Sequence, residues 1–182
     1  IELETGTEIQ TTLVINDTPV EGALLKLTPD GAWTRGGFSD ENGTVWVGGL
    51  PEEALLTLEV EGDTIPTQWI TDSENDVHTF GYDEREATWI ERSAINNSEL
   101  TINPGITIGG LVHSGPTPIP NANLSVYSNS QIRNTQSDDD GLYFAEGLPP
   151  GEALAWMSAD GYANTYSPSD DRPISFEPVL NE

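Results

Sequence analysis

The chain has 182 residues, with 31 Asp and Glu against 6 Lys and Arg, a formal net charge of −25 and no cysteine. That balance repels phosphate backbones and anionic lipid surfaces, which sets nucleic-acid and acidic-membrane binding aside, and the missing cysteines remove disulfide and thiol chemistry. With 35% hydrophobic residues the chain is still equipped to bury cores, and no apolar run approaches the roughly 20 residues that a membrane-spanning helix needs.

The chain opens on Ile1 rather than Met, which reads as a processed or excised part of a soluble, exported protein. The acidity suits salty or calcium-rich water, where ions screen self-repulsion, and it makes clustered carboxylates candidates for divalent cations.

The first ten residues, IELETGTEIQ, read as extended, and Ile9, Leu13 and Ile15 alternate loosely in a first strand. Ala23, Leu25 and Leu27 alternate cleanly, with Lys26 out of phase and therefore expected to face solvent. The polar loop PDGAWTRGG carries Trp33. In SDENGTVWVGGLP, Ser39 to Pro51, the dipeptide Asn42-Gly43 accepts the positive φ of a tight hairpin, and Val45 and Val47 flank Trp46. Leu56, Leu58 and Val60 then face one way while Thr57, Glu59 and Glu61 face the other.

After Phe80 the stretch from Asp83 to Pro104 changes character: EREATWIERS alternates weakly and SELTIN reads as one more short strand. Beyond it the sequence repeats itself. TPIPNANLSV (Thr117 to Val126) answers TPVEGALLKL (Thr18 to Leu27) at an offset of 99 residues, and SDDDGLYFAEGLP (Ser137 to Pro149) answers SDENGTVWVGGLP at 98. Asp140-Gly141 supplies the second hairpin, and Ile106, Ile108, Leu124, Val126, Tyr143, Leu154 and Trp156 are expected to fill the matching core positions. Period-two runs bounded by turn residues, with no helix-length apolar pattern, predict an all-β protein of two tandem Ig-like (transthyretin-like) antiparallel β-sandwich domains. The expected divisions are 1–82 for the first sandwich, 83–104 for a linker with extra strand or strands, and 105–182 for the second sandwich.

The second copy resembles the carboxypeptidase regulatory-like (transthyretin-like) β-sandwich through its I-x-G-x-V, P-I-x-N-A, S-D-x-D-G-x-Y and L-P-x-G elements. The first also resembles the Cna-B type domains of bacterial surface proteins through PVEGALLKLT and SDENGTVWVGGLP. The resemblance implies mostly non-catalytic spacers, stalks or accessory domains. Some Cna-B domains carry an internal Lys–Asn isopeptide bond assisted by a buried acid. Glu59 stands where such an acid belongs, but Lys26 is the chain's single lysine and the first strand has none, so the cross-link is expected to be absent.

No catalytic constellation is readable. His78 and His113 lie in different copies without zinc-peptidase spacing, and there is no G-x-S-x-G elbow. The calcium candidates are Asp40, Glu41 and Asn42 in the first turn and Asp138, Asp139 and Asp140 in the second; the twelfth positions, Pro51 and Pro149, rule out an EF-hand. Groups at Asp72, Glu74 and Asp76 and at Asp170-Asp171 share the same chemistry. Trp33 is the candidate carbohydrate-stacking residue, and Asn16, Asn42, Asn96 and Asn123 head glycosylation sequons.

The second copy has only EPVLNE where the first has further strands, so an open sheet edge is expected, and Ile1, Leu3 and Ile9 are the candidate interface residues for strand addition between copies. The expected function is a non-catalytic extracellular or cell-surface structural subunit, a filament or stalk. It would polymerise head-to-tail with itself and be stabilised by calcium. The alternative is a carbohydrate- or protein-binding or spacer module of a larger secreted protein, and family analogy adds an accessory domain of an exported peptidase.

Overall fold

A computed structural model describes residues 6–74, 77–162 and 165–167. They fall into two compact units that divide at Pro104 and Gly105.

The first unit contains β1 (Thr7–Ile15), β2 (Thr18–Pro19), β3 (Leu24–Pro29), β4 (Arg35–Phe38), β5 (Thr44–Leu50), β6 (Leu55–Glu61), β7 (Gln68–Glu74), β8 (Val77–Gly81), β9 (Ile90–Glu91), the one-turn helix α1 (Arg92–Ile95) and β10 (Ser98–Thr101). Thr11 of β1 is paired with Val45 of β5 and with Ser98 of β10, so the two strands lie on opposite edges of β1, β5 antiparallel and β10 parallel. The second sheet runs β4-β3-β6-β7-β8, with β9 beside the start of β6.

The inward positions are those the alternation predicts. Ile9, Leu13, Val45 and Val47 from one sheet meet Leu25, Leu27, Leu56, Leu58, Val60 and Ile70 from the other, all essentially without solvent contact. Each such aliphatic side chain contributes about 1.5–3 kcal/mol of burial.

The segment read as a linker, 83–104, belongs to this unit. Ile90, Ile95, Leu100 and Ile102 are buried in its core, and β9 and β10 pair with β6 and β1. Its end is clamped by Gln68, whose Oε1 accepts the Asn103 amide at 2.8 Å while its Nε2 donates to the Asn103 carbonyl at 3.1 Å. Apolar spacing through short, irregular elements gave this stretch no clear periodicity, and only the tertiary pairing assigns it.

The second unit contains β11 (Ile106–Leu111), β12 (His113–Ser114), β13 (Thr117–Pro118), β14 (Asn123–Ser128), β15 (Gln131–Gln136), β16 (Leu142–Leu148), β17 (Ala153–Ser158) and β18 (Thr165–Ser167). One sheet pairs β11 with β16; another runs β15-β14-β17-β18. The bulge of the first unit, where β1 shifts register between Thr7 and Ile9 opposite Gly49 (φ 76°), recurs between Ile106 and Ile108 opposite Gly147 (φ 67°). The β14–β15 connection differs from its counterpart: it is a two-residue hairpin with Asn129 and Ser130 both at positive φ, where β3 and β4 are joined by the longer Trp33 loop.

The sequence expectation fails at β17. Its inward side chains are Ala153 and Ala155, with Met157 packed beside the core, while Leu154 and Trp156 stand on the outer face. The core positions of Leu56 and Leu58 are held here by alanines, so the larger apolar residues set a misleading phase.

Candidate functional site

The two acidic turns are the same object built twice. Asp40 Oδ1 accepts the amides of Asn42 at 2.9 Å and Thr44 at 2.8 Å, its own amide donates to the Thr44 carbonyl, and the Gly43 amide donates to the Asp40 carbonyl. Asp138 Oδ1 accepts the amides of Asp140 and Leu142, both at 2.9 Å, with the same backbone pair closing the turn. Gly43 and Gly141 stand at φ 74° and 77°, and a Cβ on either would lie 2.5 Å from the carbonyl oxygen of Leu13 or Val112. This is side-chain capping of a turn.

Glu41, Asn42, Asp139 and Asp140 extend into solvent beside it. Among the described residues no three His, Asp or Glu side chains gather as a metal site. Asp76 and Asp170-Asp171 lie outside the described residues, as do Ile1 and Leu3.

Beside each turn sits a serine that sequence reading passed over. Ser39 Oγ accepts the Ala23 amide, and Ser137 Oγ accepts the Ala122 amide, each at 2.9 Å and each buried. Ser137 Oγ also donates to the Ile119 carbonyl at 2.7 Å. The signal was present: both serines open the repeated stretches.

The remaining candidates are scattered. Trp33 is 84% exposed in its loop. Ile9, expected at an interface, is fully buried in its own unit's core and paired with Val47, so its side chain has no surface to offer. His78 is buried, with Nε2 3.3 Å from the Ala94 carbonyl, and His113 Nδ1 lies 2.9 Å from the Gly115 carbonyl in a surface turn. All four sequon asparagines are exposed; Asn96 Oδ1 accepts the Gln10 amide and Asn123 Oδ1 accepts from Gln136 Nε2.

The units also differ on one outer face. In the first, β3 presents Lys26 opposite Glu59, and its Nζ lies 2.9 Å from Glu59 Oε1 and 2.8 Å from Glu61 Oε1. Burial pushes the Lys26 ammonium down, but the hydrogen bonds it donates to Glu61 and Glu59 outweigh that and hold the group above its ordinary pKa. In the second unit the same pairing places Ser125 opposite Trp156 on one side and Asn134 on the other.

The rows on either side are Ile132, Tyr127 and Leu154, and Gln136, Asn123 and Ser158. None of these nine side chains is charged at neutral pH. Ser125 Oγ donates to Asn134 Oδ1 at 2.8 Å and Gln136 Nε2 donates to Asn123 Oδ1 at 2.8 Å. Two shallow depressions meet at Ser125, one walled by Tyr127, Leu154 and Trp156 and the other by Asn123, Asn134 and Gln136.

No family model and no curated protein matches this chain. Among solved structures, it is similar to a streptococcal ancillary pilin at 15% identity over 98% of this chain and 60% of that one, with a TM-score of 0.41. A mutant of the shaft pilin SpaA from Lactobacillus rhamnosus GG is 12% identical over 89% of this chain and 93% of its own, with a TM-score of 0.41. The Bacillus anthracis TIE protein is 15% identical over 89% and 30%, with a TM-score of 0.35. This chain thus spans about 60% of the length of the streptococcal chain.

Proposed function

We propose that the chain is a non-catalytic structural subunit of an extracellular surface assembly, a filament or stalk, that extends head-to-tail by β-strand addition. The observation that carries the reading is the repetition. Buried serine, aspartate-capped turn and glycine bulge recur in both units with matching hydrogen bonds, so one module is used twice in tandem, which suits a repeated structural subunit better than an active site.

The acceptor in this reading is the edge of β11. In the first unit the corresponding edge of β1 takes β10 in parallel, whereas among the described residues β11 pairs with β16 alone. The donor is the segment before Thr7, since Ile9 is committed to its own core. Calcium enters as a promoter of assembly between strongly acidic surfaces.

Light scattering on size-exclusion fractions, in EDTA and then in calcium, tests all three parts. The full chain is expected to form large assemblies favoured by calcium, and a chain lacking residues 1–5 is expected to stay folded and monomeric. Assembly by the truncated chain would remove strand donation from this end. Assembly indifferent to EDTA would remove calcium, and a monomer in every buffer would remove the structural-subunit reading.

A further inference from the structure

We propose that the outer face of the β15-β14-β17 sheet in the second unit binds an uncharged polysaccharide, with Trp156 and Tyr127 as the stacking surface and Asn134, Gln136 and Asn123 as its hydrogen-bonding rail. Three observations carry this beyond the structural role.

The first is charge. In a chain of net −25, three adjacent strands present an outer face without one charged side chain. An anionic ligand would be repelled by the surrounding field, and a cationic one would find its carboxylates elsewhere on the surface. A neutral ligand loses nothing by settling here.

The second is the kind of groups displayed. Tyr127 is 42% exposed and Trp156 is half-buried beside it, which gives ring area for the apolar face of a sugar. The bonds from Ser125 to Asn134 Oδ1 and from Gln136 Nε2 to Asn123 Oδ1 orient the amides and leave the Asn134 NH2 and the Gln136 Oε1 for hydroxyl groups. A shallow surface with a few oriented polar groups beside aromatic rings is the composition of a small-ligand site. A second copy packed face-to-face would instead bury those amides without partners, a poor exchange for the apolar row of Ile132, Tyr127 and Leu154.

The third is the comparison built into the chain. The same positions of the first unit hold the ion pairs of Lys26 with Glu59 and Glu61, which occupy that face with themselves. The framework is shared and the face is not, so the difference lies in what the second unit displays.

The test is affinity electrophoresis of the full chain, made in a host that does not glycosylate Asn123. The gels contain dextran, laminarin, galactomannan or xyloglucan, with alginate and polygalacturonate as anionic comparisons. At least one neutral polymer is expected to retard the protein while the anionic ones do not. Trp156→Ala and Asn134→Ala are each expected to weaken retardation roughly tenfold, the scale of losing one well-made contact, with circular dichroism and melting unchanged. Trp33→Ala is expected to leave it intact.

The proposal is overturned if no neutral polymer retards the chain, or if both face variants migrate as the parent does. It is equally overturned if sedimentation shows Trp156→Ala converting a dimer to a monomer, which would make a second copy the occupant. These readouts are independent of the residue 1–5 deletion, so this inference and the filament reading fail separately.

Discussion

Ser39 Oγ accepts the amide of Ala23 at 2.9 Å inside the first unit, and the Ala23 carbonyl in turn accepts the amide of Ser39 at 2.8 Å. The pair closes the sandwich at the point where β3 begins and the acidic turn starts. Removing the hydroxyl would leave a buried amide unsatisfied, which costs about 1–3 kcal/mol. Ser39→Ala and Ser137→Ala are each expected to destabilise by that amount, measured by urea unfolding. A loss below a few tenths of a kcal/mol would show that another acceptor replaces the hydroxyl.

Gly43→Ala and Gly141→Ala meet two obstacles at once: positive φ, and a Cβ 2.5 Å from a backbone oxygen. Each is expected to cost at least about 1–3 kcal/mol. Asp40→Ala and Asp138→Ala should cost about 1 kcal/mol through loss of the two capped amides, and the Asn variants less, because a neutral carbonyl oxygen still accepts. Melting temperatures of the six proteins order these effects, and an inverted order between Asp→Ala and Asp→Asn would argue against capping.

Lys26→Met removes the cation between Glu59 and Glu61 and leaves two carboxylates two residues apart on one strand face. The Lys26 pKa is raised in the folded state, so its contribution is fully present below the unfolded lysine pKa and is lost as pH rises through the folded one. The partners are about 28–36% exposed, and a loss of about 0.5–1 kcal/mol is expected at neutral pH. Part of it should be recovered in high salt, which screens the repulsion between the two carboxylates.

The Asp83 carboxyl is held well below its ordinary range. The side-chain hydrogen bond from Arg85, and then the Arg85 amide, bring its pKa from 3.8 to about 2. The depressed value means that the pair's contribution is present above the unfolded pKa and is lost as pH falls through about 2. The pair faces water, so carboxyl NMR rather than melting is the measurement. The midpoint should return toward 3.8 in Arg85→Ala, and an unchanged midpoint would remove Arg85 as the cause.

The all-β character, the duplicated hairpin and the core positions of β3 and β6 are legible in the residues alone. Local rules suffice there: alternation places Leu25, Leu27, Leu56, Leu58 and Val60, and glycine after Asn42 or Asp140 admits a backbone that other residues resist. Tertiary structure alone decided three things. It assigned 83–104 to the first unit, because that stretch becomes apolar-inward only when Leu100 meets Leu13 across a parallel pair formed far along the chain. It gave Ser39 and Ser137 their purpose, since a serine's hydrogen-bond partner at another strand has no local signature. And it turned Leu154 and Trp156 outward: period two fixes that alternate residues share a face but not which face is buried, and with alanines on one side only the packing of the opposing sheet chooses.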